Sequence, residues 1–272
     1  MAATIFPLYD LVRHVAGEAV EVVLLVPPGA SPHTFSPRPQ TIRALTGCRT
    51  IFAIGHGLDN WAASLARDAG VPSVITVDKG LVLRPWQPAG EAAAEAAAAH
   101  RHDEVDPHYW LDLANAQVMV RTIAEALARL WPAAQAQFQQ QAAAYAQQLQ
   151  AADAAIRQQL ASLPRREIAT LHMAFGYFAA AYGLRIVATF EPVPGQEPTP
   201  RHVEAFLRRL RAHNLRVVFV EPQLVVTPLQ ALARDAGLEL RLLDPLGGVA
   251  GRDSYLAMMR FNAEQIAAAL RE

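Results

Sequence analysis

Residues 132–163 read PAAQAQFQQQAAAYAQQLQAADAAIRQQLASL, and this stretch determines how the rest of the chain is divided. It contains no glycine, no proline after its first position, and mainly strong helix formers. Since proline is tolerated in a first helical turn, the stretch predicts one continuous helix, roughly 45 Å long, that ends before Pro164. No sustained a/d heptad is visible, which disfavours a coiled-coil arm. A rigid connecting strut and an ordinary surface helix stay open.

Short apolar runs alternate with helical patterns on both sides of this helix. Such alternation is typical of βα units, and it predicts an α/β fold with a parallel sheet in each half. Two of the helices are predicted at residues 200–213 and 228–236. The strands are predicted at residues 4–6, 20–26, 50–54 and 73–77 in the first half, and at residues 167–171, 185–189, 216–220 and 239–243 in the second.

Composition excludes several classes of protein. Hydrophobic residues make up 52% of the 272 residues, yet no run approaches the roughly 18 to 20 uninterrupted apolar residues that span a bilayer. The formal net charge of −1, from 24 basic and 25 acidic residues, removes the electrostatic argument for nucleic-acid binding. Cys48 is the only cysteine, so neither an intrachain disulfide nor a thiolate metal cluster can form. We expect Cys48 to be a small buried residue.

Three histidines and an aspartate stand in loops beside predicted strands or helices. His172 and Asp244 directly follow strands, His33 follows another behind a proline-rich turn, and His108 precedes a helix. Each alone would more often be structural, but ligands of open α/β sheets bind beyond the carboxyl ends of strands, and imidazoles with a carboxylate are a common zinc set. The sequence therefore predicts a metal site from these four residues. Glu221, after another strand, is predicted to support a ligand or to act as an alternative one.

The remaining histidines are weaker candidates. His56 also ends a predicted strand, whereas His202 and His213 lie on a predicted amphipathic helix and are expected to be solvated. A low-complexity segment, residues 89–105, is predicted to be either a weak metal-collecting loop or a solvated turn, and its potential ligands are His100, His102, Asp103 and Glu104.

Six stretches of the chain, taken in order, resemble the metal-binding solute-binding proteins of zinc and manganese ABC importers, the TroA/ZnuA-like family. The resemblance extends over essentially the whole chain. The matching stretches are residues 9–12 (YDLV), 25–33 (LVPPGASPH), 106–112 (DPHYWLD), 172–178 (HMAFGYF), 221–223 (EPQ) and 243–248 (LDPLGG).

The resemblance implies two Rossmann-like α/β lobes with parallel sheets, joined by a single long helix, with the metal in the cleft between the lobes. The implied boundaries are an N-terminal lobe at residues 1–131, the helix at 132–163 and a C-terminal lobe at 164–272. His33, His108, His172 and Asp244 are implied to be the ligands. Manganese-preferring members tend to have a carboxylate where this chain has His172, which favours zinc.

The resemblance further implies an extracytoplasmic protein that captures Zn²⁺ as its transported ligand and is not an enzyme. The expected partners are the membrane permease of an ABC importer and a periplasmic metallochaperone, with no nucleic acid, and the chain is expected to act as a monomer. Residues 1–3 lead directly into an apolar run without a basic segment, a pattern that leaves open a cytosolic protein or a mature form. The resemblance implies the mature periplasmic form, with the signal peptide absent from the sequence.

Other functions stay open. A carrier of manganese or another divalent metal, from the same family, is the first alternative. A zinc hydrolase would use three histidines and an open fourth position, but the chain has no His-Glu-x-x-His motif. A siderophore or cobalamin carrier would need aromatic or arginine anchors, and an adhesin role is a further secondary possibility.

Overall fold

Two four-stranded parallel sheets form the framework of the protein in a computed structural model, which describes residues 1–87, 105–191 and 193–271. The strands are β1 (Ala2–Ala3), β2 (Val23–Leu24), β3 (Ile51–Ala53) and β4 (Val74–Thr76), then β5 (Glu167–Thr170), β6 (Arg185–Thr189), β7 (Val217–Val220) and β8 (Glu239–Leu242). Their order is β2-β1-β3-β4 in the first sheet and β6-β5-β7-β8 in the second, so one topology occurs twice. The predicted α/β class with parallel sheets is confirmed.

The first predicted strand, at residues 4–6, is wrong in its position. The observed strand is Ala2–Ala3, and Phe6 already begins the first helix, α1 (Phe6–Ala16). Pro7 explains the difference, because its fixed φ suits a first helical turn and it has no N–H to give to a sheet. Gly17 ends α1 with a φ of 58°, a conformation that glycine adopts at little cost.

Helices follow most strands. Asp112 begins one of them, since its Oδ1 accepts the backbone N–H of Ala114 at 2.8 Å. The helices predicted at 200–213 and 228–236 are confirmed to within a residue at each end. Among the described helices, none combines the length and apolar character needed to cross a membrane. The helices after α1 are α2 (Pro39–Ala44), α3 (Trp61–Asp68), α4 (Leu113–Leu130), α5 (Gln135–Ala161), α6 (Gly176–Ala181), α7 (Pro200–Ala212), α8 (Thr227–Ala236) and α9 (Tyr255–Arg271).

The long predicted helix is observed as a 3₁₀ turn, Pro132–Ala134, that leads into α5. The 27 residues of α5 correspond to about 40 Å. One face of α5 is buried, and its residues recur every three or four positions. The sequence pattern did not indicate this face, because two of its residues are alanines in an alanine-rich stretch. The face consists of Phe138, Ala142, Tyr145, Leu149, Ala152, Ile156 and Leu160.

Contacts divide the chain into two units that are each discontinuous in sequence. The first unit comprises Met1–Leu83, Asp112–Ala154 and Leu246–Met258, and the second comprises Arg84–Leu111, Ala155–Pro245 and Met259–Glu272. The division at residues 131 and 163 differs from this partition and stays a prediction. The segment that carries His108 belongs to the same unit as His172 and Asp244, because it packs with the start of α6.

Each unit has its own apolar core. In the first unit, buried residues of the sheet such as Ile51 and Ala53 pack with Leu65 of α3. In the second unit, Val187 and Val218 of the sheet pack with Phe206 of α7. Burial of apolar surface on the faces of each sheet fixes the strands in register, so the loops at the carboxyl ends of the strands are held in place.

Candidate metal centre

The carboxyl edge of the second sheet places His172 between two glutamates. The register that pairs β5 with β6 and β7 continues beyond β5. The backbone N–H of Glu191 donates to the carbonyl oxygen of Leu171 at 2.7 Å, and the N–H of Leu171 donates to that of Phe219 at 2.7 Å. His172, Glu191 and Glu221 are therefore neighbours across three strands, and all three are buried.

His172 is hydrogen-bonded to Glu221, whose Oε1 lies 2.6 Å from the ring Nδ1. A proton on Nδ1 leaves the lone pair of the neutral ring on Nε2. Burial lowers the pKa of His172, but the carboxylates of Glu221, Glu191 and Asp106 outweigh burial and raise it above its ordinary value. A buried carboxylate that orients a histidine and increases its basicity is the usual support of a metal-binding imidazole.

His108 has an equivalent support in Asp106. The Oδ1 of Asp106 accepts the backbone N–H of His108 at 3.0 Å and lies 2.8 Å from its Nδ1, and both side chains are buried. Sequence reasoning missed this role. The signal was present, because an aspartate commonly accepts hydrogen bonds from the residue two positions later, and Pro107 between them restricts the backbone.

The two imidazoles lie close together within the second unit. Their ring centroids are 5.3 Å apart, and one nitrogen of His108 lies within 4.8 Å of one nitrogen of His172. Two nitrogens bound tetrahedrally to one zinc ion, at about 2.0 Å each, are about 3.3 Å apart. Small side-chain movements are enough to bring both nitrogens to that separation.

Trp110 packs against the ring of His108. Its side chain is 1% exposed, its ring centroid lies 5.3 Å from that of His108, and its Nε1 donates to the carbonyl oxygen of Pro245 at 2.8 Å. Pro245 directly follows Asp244. The Asp-Pro-His-Tyr-Trp stretch therefore fixes both an imidazole and the loop that carries the aspartate.

Asp244 is 1% exposed and is held by hydrogen bonds with two residues, Asn262 and Gln223. Its backbone N–H donates to Asn262 Oδ1 at 2.8 Å, and Asn262 Nδ2 donates to its carbonyl oxygen at 2.8 Å. Gln223 Nε2 donates to Asp244 Oδ1 at 2.7 Å. Asn262 and Gln223 were also missed from the sequence. Asn262 lies on α9, far along the chain from Asp244, so no local pattern indicates the contact.

His33 belongs to the first unit, in a turn that follows β2. Trp61 anchors this turn, because its Nε1 donates to the carbonyl oxygen of Pro32 at 3.3 Å and its ring packs 4.8 Å from that of Phe35. The anchoring suits a ligand that must be held in place. Its part in a metal site stays a prediction.

The other histidines have different roles. His202 was predicted to be solvated, and this is wrong: it is buried, with Nε2 2.8 Å from the carbonyl oxygen of Thr189, because α7 packs on β6. His213 is half-buried beside Glu167, with its Nδ1 2.8 Å from the carboxylate. His56 lies 2.9 Å from Asp78.

Two further expectations concern residues outside the site. The proposed metal-collecting residues His100, His102, Asp103 and Glu104 lie outside the described residues. Cys48 is half-buried rather than buried, because it lies in the loop before β3.

The comparison with known families identifies the chain. The family model described as ZnuA, zinc-uptake complex component A periplasmic, matches residues 1–269. This chain belongs to the ZnuA family. The resemblance inferred from the sequence motifs is thereby confirmed.

Proteins similar to this ZnuA-family chain include a zinc-binding lipoprotein and structures solved with zinc or manganese. The zinc-binding lipoprotein AdcA of Streptococcus pneumoniae serotype 4 is 25% identical over 273 residues, which cover 98% of this chain and 54% of AdcA. The chain thus spans about half the length of the first curated relatives it matches. A zinc-bound ZnuA deletion mutant is 28% identical with a TM-score of 0.85, covering 100% of this chain and 97% of that one. FpvC of Pseudomonas aeruginosa in complex with Mn²⁺ is 28% identical with a TM-score of 0.84, covering 99% and 97%.

Gly176 leaves the space that Asp106 occupies, and the Gly176→Ala variant is expected to weaken metal binding roughly tenfold. A Cβ at this position would lie 2.8 Å from Asp106 Oδ2, so the carboxylate must shift and its contacts with His108 are disturbed. Alanine is a better helix former than glycine, so α6 itself should not suffer. A competition titration with a zinc chelator measures the effect. Ala180→Ser, at an exposed position of the same helix, is the control. An unchanged affinity would show that Asp106 does not hold His108 for metal binding.

Proposed function

We propose that this protein captures Zn²⁺ outside the cytoplasm and delivers it to the membrane permease of an ABC importer. The observation that carries the proposal is a pair of neighbouring imidazoles, His108 and His172, each with its Nδ1 against a buried carboxylate. In this arrangement the Nε2 of each ring is the proposed donor to the metal. Family membership supports the transport role, and the name of AdcA supports the choice of zinc.

The proposed ligands are His33, His108, His172 and Asp244. Three imidazole nitrogens and one carboxylate oxygen fill a tetrahedral shell, and nitrogen donors favour zinc over manganese. Glu221 is proposed to orient His172 and not to bind the ion itself, since its Oε1 lies against Nδ1. A filled shell suits a carrier, because a catalytic zinc keeps one position for water.

A carrier of manganese or another divalent metal is the second candidate, and the structures of FpvC with Mn²⁺ and with Ni²⁺ are the observations that favour it. The zinc hydrolase has less support, because Asp244 is the proposed fourth ligand and hydrogen bonds from Gln223 and Asn262 hold it in place. The periplasmic location, the monomeric state and an exchange of zinc with a periplasmic metallochaperone are parts of the same proposal.

Metal binding by the chelator-stripped protein tests the proposal. We expect one tightly bound Zn²⁺ per chain, counted by native mass spectrometry, and we expect an excess of Mn²⁺ not to displace it. Nitrogen-rich sites should discriminate in this direction. The His56→Ala variant is the matched control, because His56 also follows a strand yet is paired with Asp78.

Displacement of zinc by manganese on equal terms would favour the manganese carrier instead. Retention of no metal by the wild-type protein would contradict both carrier functions. If zinc is bound as proposed, zinc-dependent copurification of the protein with its permease would test the delivery step.

A further inference from the structure

Glu191 is a buried carboxylate that the four-ligand zinc shell does not use. It is 6% exposed and lies two residues beyond the end of β6, the strand that pairs with β5 on the side opposite β7. Burying a carboxylate is costly unless a cation or hydrogen bonds offset its charge. One of its oxygens, Oε2, accepts the backbone N–H of Gly195 at 2.9 Å. A carboxylate offers about four lone-pair sites, so this bond leaves capacity for a further partner.

The register makes Glu191 the counterpart of Glu221 across His172. The two glutamates occupy equivalent positions on the strands that flank β5, and in-register neighbours on adjacent strands project to the same side of a sheet. His172 turns its Nδ1 to Glu221. The opposite edge of the ring is therefore turned away from Glu221, and the strand that leads to Glu191, β6, lies on the side of β5 away from β7.

The second unit contains several buried carboxylates whose negative charge a cation would offset. Two of its buried carboxylates hold imidazoles, and a third, Asp244, is the proposed ligand. Glu191 adds a fourth negative charge within electrostatic reach of His172 and Glu221. A divalent cation is a group that would offset these buried negative charges.

We propose that Glu191 is a further oxygen ligand, which the site uses for divalent ions that take more than four donors. The inference rests on the proposed metal-binding function and deepens it. Zinc, with a tetrahedral shell of four ligands, does not need Glu191. Manganese prefers oxygen donors and a larger shell, so it gains most from an added carboxylate. Glu191 then widens the range of metals that a histidine-rich site accepts.

The Glu191→Gln variant of the chelator-stripped protein separates the two metals. We expect its affinity for Mn²⁺ to fall by at least about tenfold and its affinity for Zn²⁺ to change by less than about threefold. Glutamine keeps the size and the hydrogen-bonding ability of the side chain while removing the charge. Glu197→Gln is the matched control, because Glu197 lies in the same loop and is exposed.

The visible absorption spectrum of bound Co²⁺ distinguishes a ligand from a residue with only a structural role. Four-coordinate Co²⁺ absorbs visible light far more strongly than five- or six-coordinate Co²⁺, so loss of the Glu191 oxygen should intensify the d–d bands. The Glu191→Asp variant keeps the charge on a shorter side chain, and it should bind Mn²⁺ more weakly than wild type does. If Glu191→Gln does not fold, Glu191→Asp still tests whether Glu191 is a metal ligand.

The outcomes separate this inference from the proposed function. Tight zinc binding by the wild type, with Mn²⁺ affinity and Co²⁺ spectrum unchanged in both Glu191 variants, would overturn the role of Glu191 and leave the zinc carrier standing. No metal binding by the wild type would overturn both. A loss of Zn²⁺ and Mn²⁺ affinity by the same factor would also count against it, because an added ligand for larger ions must discriminate.

Discussion

Replacement of His172 by alanine is expected to weaken zinc binding by more than about a hundredfold, which exceeds the effect of losing a supporting hydrogen bond. The imidazole is proposed to supply one of four ligands, so its removal leaves three. Glu221 is directed at the ring and would lose its partner. A competition titration with a chromophoric chelator measures the change. His108→Ala should behave alike, and Asp244→Ala should cost less because a water molecule can take the place of a carboxylate oxygen.

The alanine variant also leaves the buried carboxylate of Glu221 without its hydrogen bond, and this alone can destabilise the fold. His172→Gln separates the two effects, since the glutamine amide can still donate to Glu221 but is a poor zinc ligand. We expect His172→Gln to unfold near the wild-type temperature in the absence of metal and to bind zinc as weakly as His172→Ala. Zinc affinity equal to that of the wild type in either variant would remove His172 from the ligand set.

Glu221→Gln should lie between these variants and the wild type, with a loss of about tenfold to a hundredfold. It keeps a group that can accept the Nδ1 hydrogen bond but removes the charge that makes His172 a better donor to zinc. His56→Ala, by contrast, should change nothing, because its ring pairs with Asp78 at the surface. The graded order of the variants distinguishes a ligand from its support.

Local signals in the sequence were enough to locate the strands that carry the site. The apolar runs at residues 167–171 and 216–220 predicted β5 and β7, and the carboxyl-end rule then placed His172 and Glu221 at the same edge. Their hydrogen bond follows from the strand order, because β5 and β7 are neighbours. Strand order itself depends on long-range pairing, so the sequence predicted the edge but not which pairs of residues would meet.

Contacts between distant segments account for what the sequence did not reveal. The partner of Asp244 is Asn262 on α9, and the orientation of Glu191 depends on the register between β5 and β6. The residues beside His202 in the sequence are typical of a solvated helix, yet packing of α7 on β6 buries it. In each case a tertiary contact, and not the local sequence pattern, determines the environment of the residue.

Zinc binding is expected to weaken by about tenfold for each unit by which the pH falls below the raised pKa of His172. In the metal-free protein, the carboxylates of Glu221, Glu191 and Asp106 outweigh the effect of burial and raise this pKa above 6.5. Below the raised value the ring carries protons on both nitrogens, so zinc must displace one of them. Above it, no proton is displaced from His172 and its contribution to the pH dependence ends.

Titrations at several pH values, in buffers with different ionisation enthalpies, would measure both the affinity and the number of protons released. Glu221→Gln removes the strongest of the effects that raise the pKa of His172, so its pH dependence should begin at a lower pH. His56→Ala should keep the wild-type profile. A zinc affinity that does not change between pH 8 and about pH 6, with no proton release, would show that His172 is neutral before zinc binds.

The same protonation has opposite effects on the two forms of the protein. Since the folded-state pKa of His172 is raised, its protonation stabilises the metal-free fold fully below about pH 6.5, and this stabilisation is lost as the pH rises through the raised value. The gain in stability from zinc grows with pH over the same window, because it follows the affinity. The melting temperatures of the metal-free and zinc-loaded proteins should therefore diverge as the pH rises, and His172→Gln should abolish most of that divergence. Parallel melting curves for the wild type would mean that zinc does not compete with a proton at this ring.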